Sequence, residues 1–344
     1  MKKDIRKLTL EELETIFAQK EEPKYRAKQV FEWIWKKNVH SFEQMTNLPI
    51  KLRQWLTEYF DLKHLSIAQQ QKSQDGTIKF GFRLPDNNLV EGVLIPTENR
   101  MTACVSSQVG CSLTCKFCAT GYMERKRNLE ASEIFDQVVA IHEQALAIYQ
   151  TPLTNIVFMG MGEPLLNYAN VLKSIEMLTS EKGLGMSYKR ITVSTAGIAK
   201  MIRKLGDDRV KFNLALSLHA ANDEKRNEIM PINDSNSLVA LRDALKYYFA
   251  KTKNPVTYEY IVFKDFNDSL KDAEELYRFT KHIPSKVNII EYNPIREANF
   301  ANTDEDRLLK FAQYLEKRNV IVKIRRSRGK DIDAACGQLA IKEK

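Results

Sequence analysis

With 344 residues, 43% hydrophobic and 28% charged, the chain has the composition of an ordinary globular protein with room for one large domain and a small one, which excludes a fibrous or disordered class. No apolar run is long enough to span a bilayer, and the basic segment at residues 1–7 has no apolar stretch behind it, so a membrane span and a secretory signal are not expected and a cytoplasmic location is. The formal net charge of +9 suits a polyanionic partner, because Lys and Arg neutralise phosphates, although solubility alone would give the same excess.

The first 62 residues read as helices. Thr9 and Glu12 form a capping box ahead of an apolar face made by Leu10, Leu13, Ile16 and Phe17. Pro23 suits the first turn of a second helix carrying Ala27, Val30, Phe31 and Ile34 on one side. Pro49 opens a third, with Leu52, Trp55, Leu56 and Tyr59 as its stripe. The stripes are expected to form core. Lys24, Arg26, Lys28, Lys36 and Lys37, left outside them, are either solvated or open to RNA.

Strand signals follow. Asp75-Gly76 is a turn before the alternating Ile78, Phe80, Phe82 and Leu84, and Asn87-Asn88 is another before Val90, Val93 and Ile95. Met101, Ala103 and Val105 form a third strand that runs into a group of cysteines. Beyond it, strand-like runs at 155–159, 191–194, 212–217, 257–262, 287–292 and 320–324 alternate with helical patterns such as 133–149 and 267–282. Repeated strand–helix units imply parallel strands with right-handed crossovers, hence an α/β fold with a full or partial barrel of about six units. Reactive residues of such barrels sit at the C-terminal ends of the strands.

The five cysteines are Cys104, Cys111, Cys115, Cys118 and Cys336, too few and too clustered for a disulfide scaffold. Cys111, Cys115 and Cys118 have the spacing C-x3-C-x2-C, which supplies three thiolates to a cubane cluster and leaves one iron open to a chelating ligand. A structural zinc site is the alternative; it needs a fourth ligand, for which His142 or His219 is available. Glycine or small polar groups recur at strand ends: Gly162 and Glu163 within Met159–Pro164, Ser194, Ser217-Leu218-His219 and Asn293. Each by itself reads as a tight turn or a satisfied side chain, and together they would surround one barrel mouth.

The cysteine spacing, with the aromatic Phe117 before the last cysteine, resembles the signature of the radical S-adenosylmethionine superfamily. The resemblance implies a [4Fe–4S] cluster on Cys111, Cys115 and Cys118, adenosylmethionine chelating the open iron, and its reductive cleavage to an adenosyl radical. Gly162, Glu163, Ser194, Ser217, Leu218, His219 and Asn293 are then the candidate cofactor contacts.

Gly110, Met159–Pro164 and the run Asp333-Ala334-Ala335-Cys336-Gly337-Gln338 resemble, more narrowly, the adenine-C2 RNA methyltransferases of that superfamily, and the likeness extends over nearly the full chain. It implies a helical, RNA-binding accessory domain at 1–62, a β-hairpin-like connecting segment at 63–100 and a barrel core at 101–344. It also implies a substrate adenosine in the peptidyl transferase centre of 23S rRNA and in the tRNA anticodon loop. Cys336 would take a methyl group from one adenosylmethionine, and a second would remove hydrogen from that S-methyl group. The carbon would add to C2, Glu91 would remove the C2 proton, and Cys104 would attack the Cys336 sulfur to form a transient disulfide. A flavodoxin-type electron donor and a monomeric state complete the implied picture. The basic run from Lys317 to Lys330, and Lys116, Arg125, Lys126 and Arg127, are expected to hold phosphates near the site.

The related adenine-C8 methyltransferases of ribosomal antibiotic resistance share the cysteines and the Ala-Ala-Cys-Gly-Gln end, but Met161–Asn167 and Gln108–Cys111 resemble the C2 enzymes. A basic RNA-binding protein with a structural metal is the non-enzymatic alternative, and it would leave Cys104 and Cys336 without a role.

Overall fold

A computed structural model describes residues 2–341. The N-terminal unit contains β1 (Lys3–Asp4), α1 (Leu10–Gln19), α2 (Lys24–Trp35), α3 (Ile50–Tyr59) and β2 (Phe60–Asp61), with β1 and β2 paired in parallel. Thr9 caps α1, accepting the Glu12 N–H while the Glu12 carboxylate returns to the Thr9 N–H. The expected stripes point inward at Leu13, Phe17, Ala27, Val30, Ile34, Leu52 and Leu56, all buried, whereas Tyr59, expected at the end of the third stripe, is exposed at the last turn of α3. This unit docks on the next domain through a buried charge. The Arg6 guanidinium grips Asp136 with hydrogen bonds of 2.7 and 2.5 Å, and Trp35 packs edge-on against Phe135. Burial alone would raise the Asp136 carboxyl, but Arg6 and the His64 ring hold it down at about 2.

The next strands are β3 (Ser66–Lys72), β4 (Ile78–Arg83), β5 (Leu89–Thr97) and β6 (Arg100–Cys104). They form an antiparallel meander that belongs to the main sheet, so the segment expected to be a hairpin-like connector is the antiparallel flank of the barrel. β3 was not signalled by alternation. All seven of its residues are exposed, because it is the outermost strand and no face of it is covered.

Two short strands, β7 (Gln108–Val109) and β8 (Arg127–Asn128), pair across the base of the cysteine loop. Then come α4 (Ala131–Tyr149), β9 (Asn155–Phe158), α5 (Tyr168–Thr179), β10 (Ile191–Thr195), α6 (Ala199–Asp207), β11 (Asn213–Ser217), α7 (Asp223–Ile229) and α8 (Leu238–Thr252). The series closes with β12 (Val256–Val262), α9 (Leu270–Thr280), β13 (Ser285–Glu291), α10 (Glu305–Glu316) and β14 (Ile321–Arg325).

The sheet has ten strands in the order β14-β13-β12-β11-β10-β9-β6-β5-β4-β3. β6 is the switch: it pairs antiparallel with β5 and parallel with β9, and every pairing from there to β14 is parallel. The two outer strands do not meet, so of the two forms expected the barrel is the partial one. β12 is buried at all its positions, as its near-continuous apolar sequence requires of a strand covered on both faces. Among the described residues no helix is long and apolar enough to cross a membrane.

Candidate cluster and cofactor site

The parallel strands end toward one mouth, and the cysteine loop lies across it. Its path is set by backbone hydrogen bonds. Lys116 N–H donates to the Ile229 carbonyl, Gly121 N–H to Cys118 and Ala119 N–H to Gly337, at 2.7–3.0 Å. Leu113 and Phe117 anchor the loop in a small apolar cluster with Ile229, Met230, Ile261 and Ile290. Their packing leaves Cys111, Cys115 and Cys118 facing a cavity of about 930 Å3, its mouth included.

The three thiols fit an iron–sulfur cluster by donor chemistry. Burial pushes all three up, Cys111 to about 11, and the like charges of their neighbours push Cys111 and Cys115 further, so unliganded they are neutral thiols. A cationic cluster would stabilise them as thiolates. The histidines weighed as a fourth ligand for zinc are engaged elsewhere. The His142 ring accepts from the Leu153 N–H at 3.3 Å, and His219 Nδ1 accepts from the Ile261 N–H at 3.0 Å.

Gly162, Glu163, Ser194, Ser217 and His219 line the same cavity. Glu163 Oε1 accepts from Leu165 N–H at 3.0 Å, and Oε2 accepts from Ala196 N–H at 2.8 Å, tying the ends of β9 and β10 together. Burial raises its pKa and these amides oppose the rise. Ser194 and Ser217 stand with their hydroxyls 3.2 Å apart. His219 is held at φ +54°, edge-on to Phe117; burial depresses its pKa to about 3, so the ring is neutral.

Leu218 and Asn293 are not on the cavity wall. Leu218 turns a fully buried side chain into the core, with its N–H on the Glu259 carbonyl. Asn293 donates to the Cys336 carbonyl at 3.1 Å.

At Gly162 (φ +92°) an added Cβ would stand 2.4 Å from the Gln108 Cβ. Gln108 Oε1 in turn accepts from the Glu163 N–H at 2.9 Å. Gly162→Ala is therefore expected to cost about 1–3 kcal/mol from the left-handed backbone alone. It should also free Glu163, lowering the urea midpoint and weakening adenosylmethionine binding together. Unchanged values for both would show that the turn tolerates a Cβ.

Cys336 opens onto the cavity, and its desolvated thiol is pushed up to about 11, opposed by the charge of Arg325. Cys104, at the end of β6, is buried beside it. Burial first, then the charge of Cys336, raises the Cys104 thiol to about 12. Glu91, on β5, is also buried, with Lys79 Nζ 3.5 Å away. It lies beneath the C-terminal segment, off the cavity wall.

Two further charged residues escaped sequence reasoning. Arg226, fully buried on α7, donates to the carbonyls of Leu218 and Ala196 and to Asn233 Oδ1, and its charge acts on Cys115. Glu259 on β12 accepts from Asn288 at 2.8 Å and from Arg325 at 3.1 Å. A lone carboxylate inside the apolar run of β12 was the available signal for Glu259; Arg226, in a charged helix sequence, gave none.

The expectation for the basic run changes. Arg318 meets Glu274, Arg325 meets Glu259, Arg326 and Lys330 meet Glu291, and Arg328 meets Asp75. Acids from other elements thus neutralise most of the run, leaving Lys317 and Lys323 without such a partner among the described residues. Arg127 is likewise paired, with Asp86 and Glu133.

Comparison with known proteins bears on this geometry. Residues 3–62 match the family model described as the ribosomal RNA large subunit methyltransferase N-terminal domain, and residues 105–280 match that of the Radical SAM superfamily. A probable dual-specificity RNA methyltransferase RlmN from Cytophaga hutchinsonii is 64% identical over 342 residues, covering 99% of this chain and 94% of that protein. A dual-specificity RNA methyltransferase RlmN from Geotalea uraniireducens is 44% identical over 338 residues, covering 98% and 96%. The crystal structure of a radical SAM methyltransferase from Sphaerobacter thermophilus matches with a TM-score of 0.92 at 40% identity, over 98% of this chain and 99% of that one.

Proposed function

The chain belongs to the dual-specificity RNA methyltransferase RlmN family of the radical SAM superfamily, and from that premise we propose that it methylates C2 of an adenosine in 23S rRNA and in tRNA, with Cys336 carrying the methyl carbon and Cys104 releasing it. The observation that carries this reading is one cavity onto which Cys111, Cys115, Cys118 and Cys336 all open, with the Cys104 thiol close enough to sense the charge of Cys336. Adenine C2 lies between two ring nitrogens and has no nucleophilic lone pair. Displacement on a methyl sulfonium is closed to it, and a carbon-radical route is open.

A [4Fe–4S] cluster on Cys111, Cys115 and Cys118, with adenosylmethionine on its open iron, supplies when bound a hydrogen-abstracting carbon radical. The chain's own residues do the rest. Leu113, Phe117, Ile261 and Ile290 make the apolar wall that keeps water from a reactive carbon. Gly162 allows close backbone approach, and Glu163, Ser194, Ser217 and neutral His219 present polar groups to the cofactor. Cys336 must lose its proton to accept a methyl group, and Arg325 is the cation that favours its thiolate. Glu91, kept close to Lys79, is the acceptor for the C2 proton. Chemistry on a base also requires that base to leave its stack, and family likeness supports giving that role to the N-terminal helices. A flavodoxin-type donor and a monomeric enzyme belong to the same reading.

This chemistry consumes two adenosylmethionines, one as methyl donor and one as radical source. Anaerobic turnover of unmodified RNA is therefore expected to release equal amounts of S-adenosylhomocysteine and 5′-deoxyadenosine, each matching the methylated nucleoside. Methylated product with no 5′-deoxyadenosine would remove the radical step.

A further inference from the structure

The segment carrying Cys336 has little regular structure of its own, only a three-residue helical turn at Lys330–Ile332 between β14 and Ile341. Side chains from elsewhere set its position. On the approach to Cys336 they come from the β3–β4 hairpin. Asp75, in the hairpin turn, accepts the Gly329 N–H on Oδ2 and the Thr77 N–H on Oδ1, both at 2.8 Å, and Arg328 donates to its carbonyl oxygen. Asp331 accepts Ser73 O–H at 2.5 Å and Gln74 N–H at 3.1 Å. Lys79, on β4, donates to the Asp333 carbonyl at 3.4 Å.

The departing arm is held by other parts of the molecule. Ala119 N–H donates to the Gly337 carbonyl at 2.7 Å, Thr120 O–H to the Leu339 carbonyl at 2.6 Å, and Gln338 to the Pro294 carbonyl at 3.0 Å. Gly329, Asp333 and Gly337 all have positive φ, so the path bends sharply on both sides of the cysteine. At Gly329 the approach is tight, since a Cβ there would meet Ala334 Cβ at 2.8 Å and Thr77 Cγ2 at 2.9 Å.

The same segment roofs Glu91. Lys79 bridges the Glu91 carboxylate and the Asp333 carbonyl, and the Ala340 backbone reaches Glu91 from the other side of Cys336. Among the described residues, the Ala340 backbone is all that reaches the buried Glu91 Oε2. A buried carboxylate oxygen with so little to satisfy it is costly.

We propose that the β3–β4 hairpin is the positioning element for Cys336: Asp75 and Asp331–Ser73 fix the arm leading to the cysteine, and Lys79 ties that arm to Glu91, so the place of the methyl-carrying cysteine and the cover over Glu91 change together. These are positioning residues. They act through the segment and do not touch the reacting atoms. The inference rests on the reading of Cys336 and Glu91 given above, but the hairpin's hold on the arm can be tested without RNA.

Iodoacetamide alkylation of Cys336 in the cluster-loaded enzyme, followed by peptide mass spectrometry, reads the position of the arm. Losing the Asp75 or Asp331 hydrogen bonds is expected to raise the Cys336 alkylation rate roughly 5- to 30-fold in Asp75→Ala and Asp331→Ala. Asp75→Asn, which keeps one acceptor oxygen, should fall between these and the native protein. With RNA, the alanine variants should lose kcat while the KM for RNA holds. Native alkylation rates in both alanine variants would overturn the proposal. If Asp75→Ala does not fold, Asp331→Ala, whose side chain is at the surface, decides alone. Because the alkylation contains no RNA, a negative result there indicts the hairpin and leaves the substrate assignment untouched.

Discussion

Cys104→Ala is expected to leave the enzyme covalently joined to its RNA and to stop turnover after a single event. Cys104 is buried at the end of β6, and its thiol senses Cys336. Once the methylene carbon on Cys336 has bonded to C2, the Cys336 sulfur must leave. In the proposed mechanism the Cys104 thiolate attacks that sulfur. A sulfur–sulfur bond forms, the sulfur–carbon bond breaks, and its electron pair stays with carbon, which takes a proton to become the methyl group. Burial holds the Cys104 thiol at about 12, so only a small fraction is thiolate at neutral pH, and a buried group beside its target offsets that by proximity. Alanine has no sulfur to offer. The adduct should appear as an RNA-shifted band that survives denaturation and maps to the peptide containing Cys336. Normal release of methylated RNA by the variant would remove Cys104 from the mechanism.

Glu91→Gln is expected to lower kcat by about 10²–10⁴-fold, the usual contribution of a general base. The pH profile separates this role from a structural one. Burial raises the Glu91 pKa above its ordinary 4.5, and the Lys79 ammonium opposes the rise. With Glu91 as the proposed base its ionised form is the working one, so activity should be present above the raised pKa and fall as pH drops through it, on a limb higher than an ordinary carboxylate gives. Lys79→Met removes the charge that favours ionisation and should move the limb further up. In Glu91→Gln the limb should vanish with the rate. An acid limb unchanged in Glu91→Gln would assign proton removal to another group.

What could be read from the sequence was what depends on neighbours in the chain. The C-x3-C-x2-C spacing, the capping box at Thr9 and the alternating strands β4 and β5 are local patterns, and each is present in the fold. The βα series was legible because every unit repeats the change from a strand to a helical pattern.

The rest depends on residues far apart in sequence. β3 has no covered face and so no alternation to detect. The run from Lys317 to Lys330 looks like an uncompensated charge because its partners, Glu259, Glu274, Glu291 and Asp75, come from other elements. Arg226 sits in a helix sequence that reads as a solvated face, yet the fold buries it against strand-end carbonyls near Cys115. Neither could local sequence reveal that Leu218 turns inward beside Ser217 and His219, or that Glu91 lies beneath the segment carrying Cys336.

Nucleoside mass spectrometry bears most directly on the central assignment. The cluster-loaded protein, handled without oxygen, would be given reductant, adenosylmethionine and unmodified 23S rRNA or tRNA. The digested RNA would then be compared with 2-methyladenosine and 8-methyladenosine standards. A 2-methyladenosine peak that disappears in Cys336→Ala is the expected result. An 8-methyladenosine peak, or 5′-deoxyadenosine released with neither nucleoside formed, would contradict the assignment of adenine C2 as the methylated carbon.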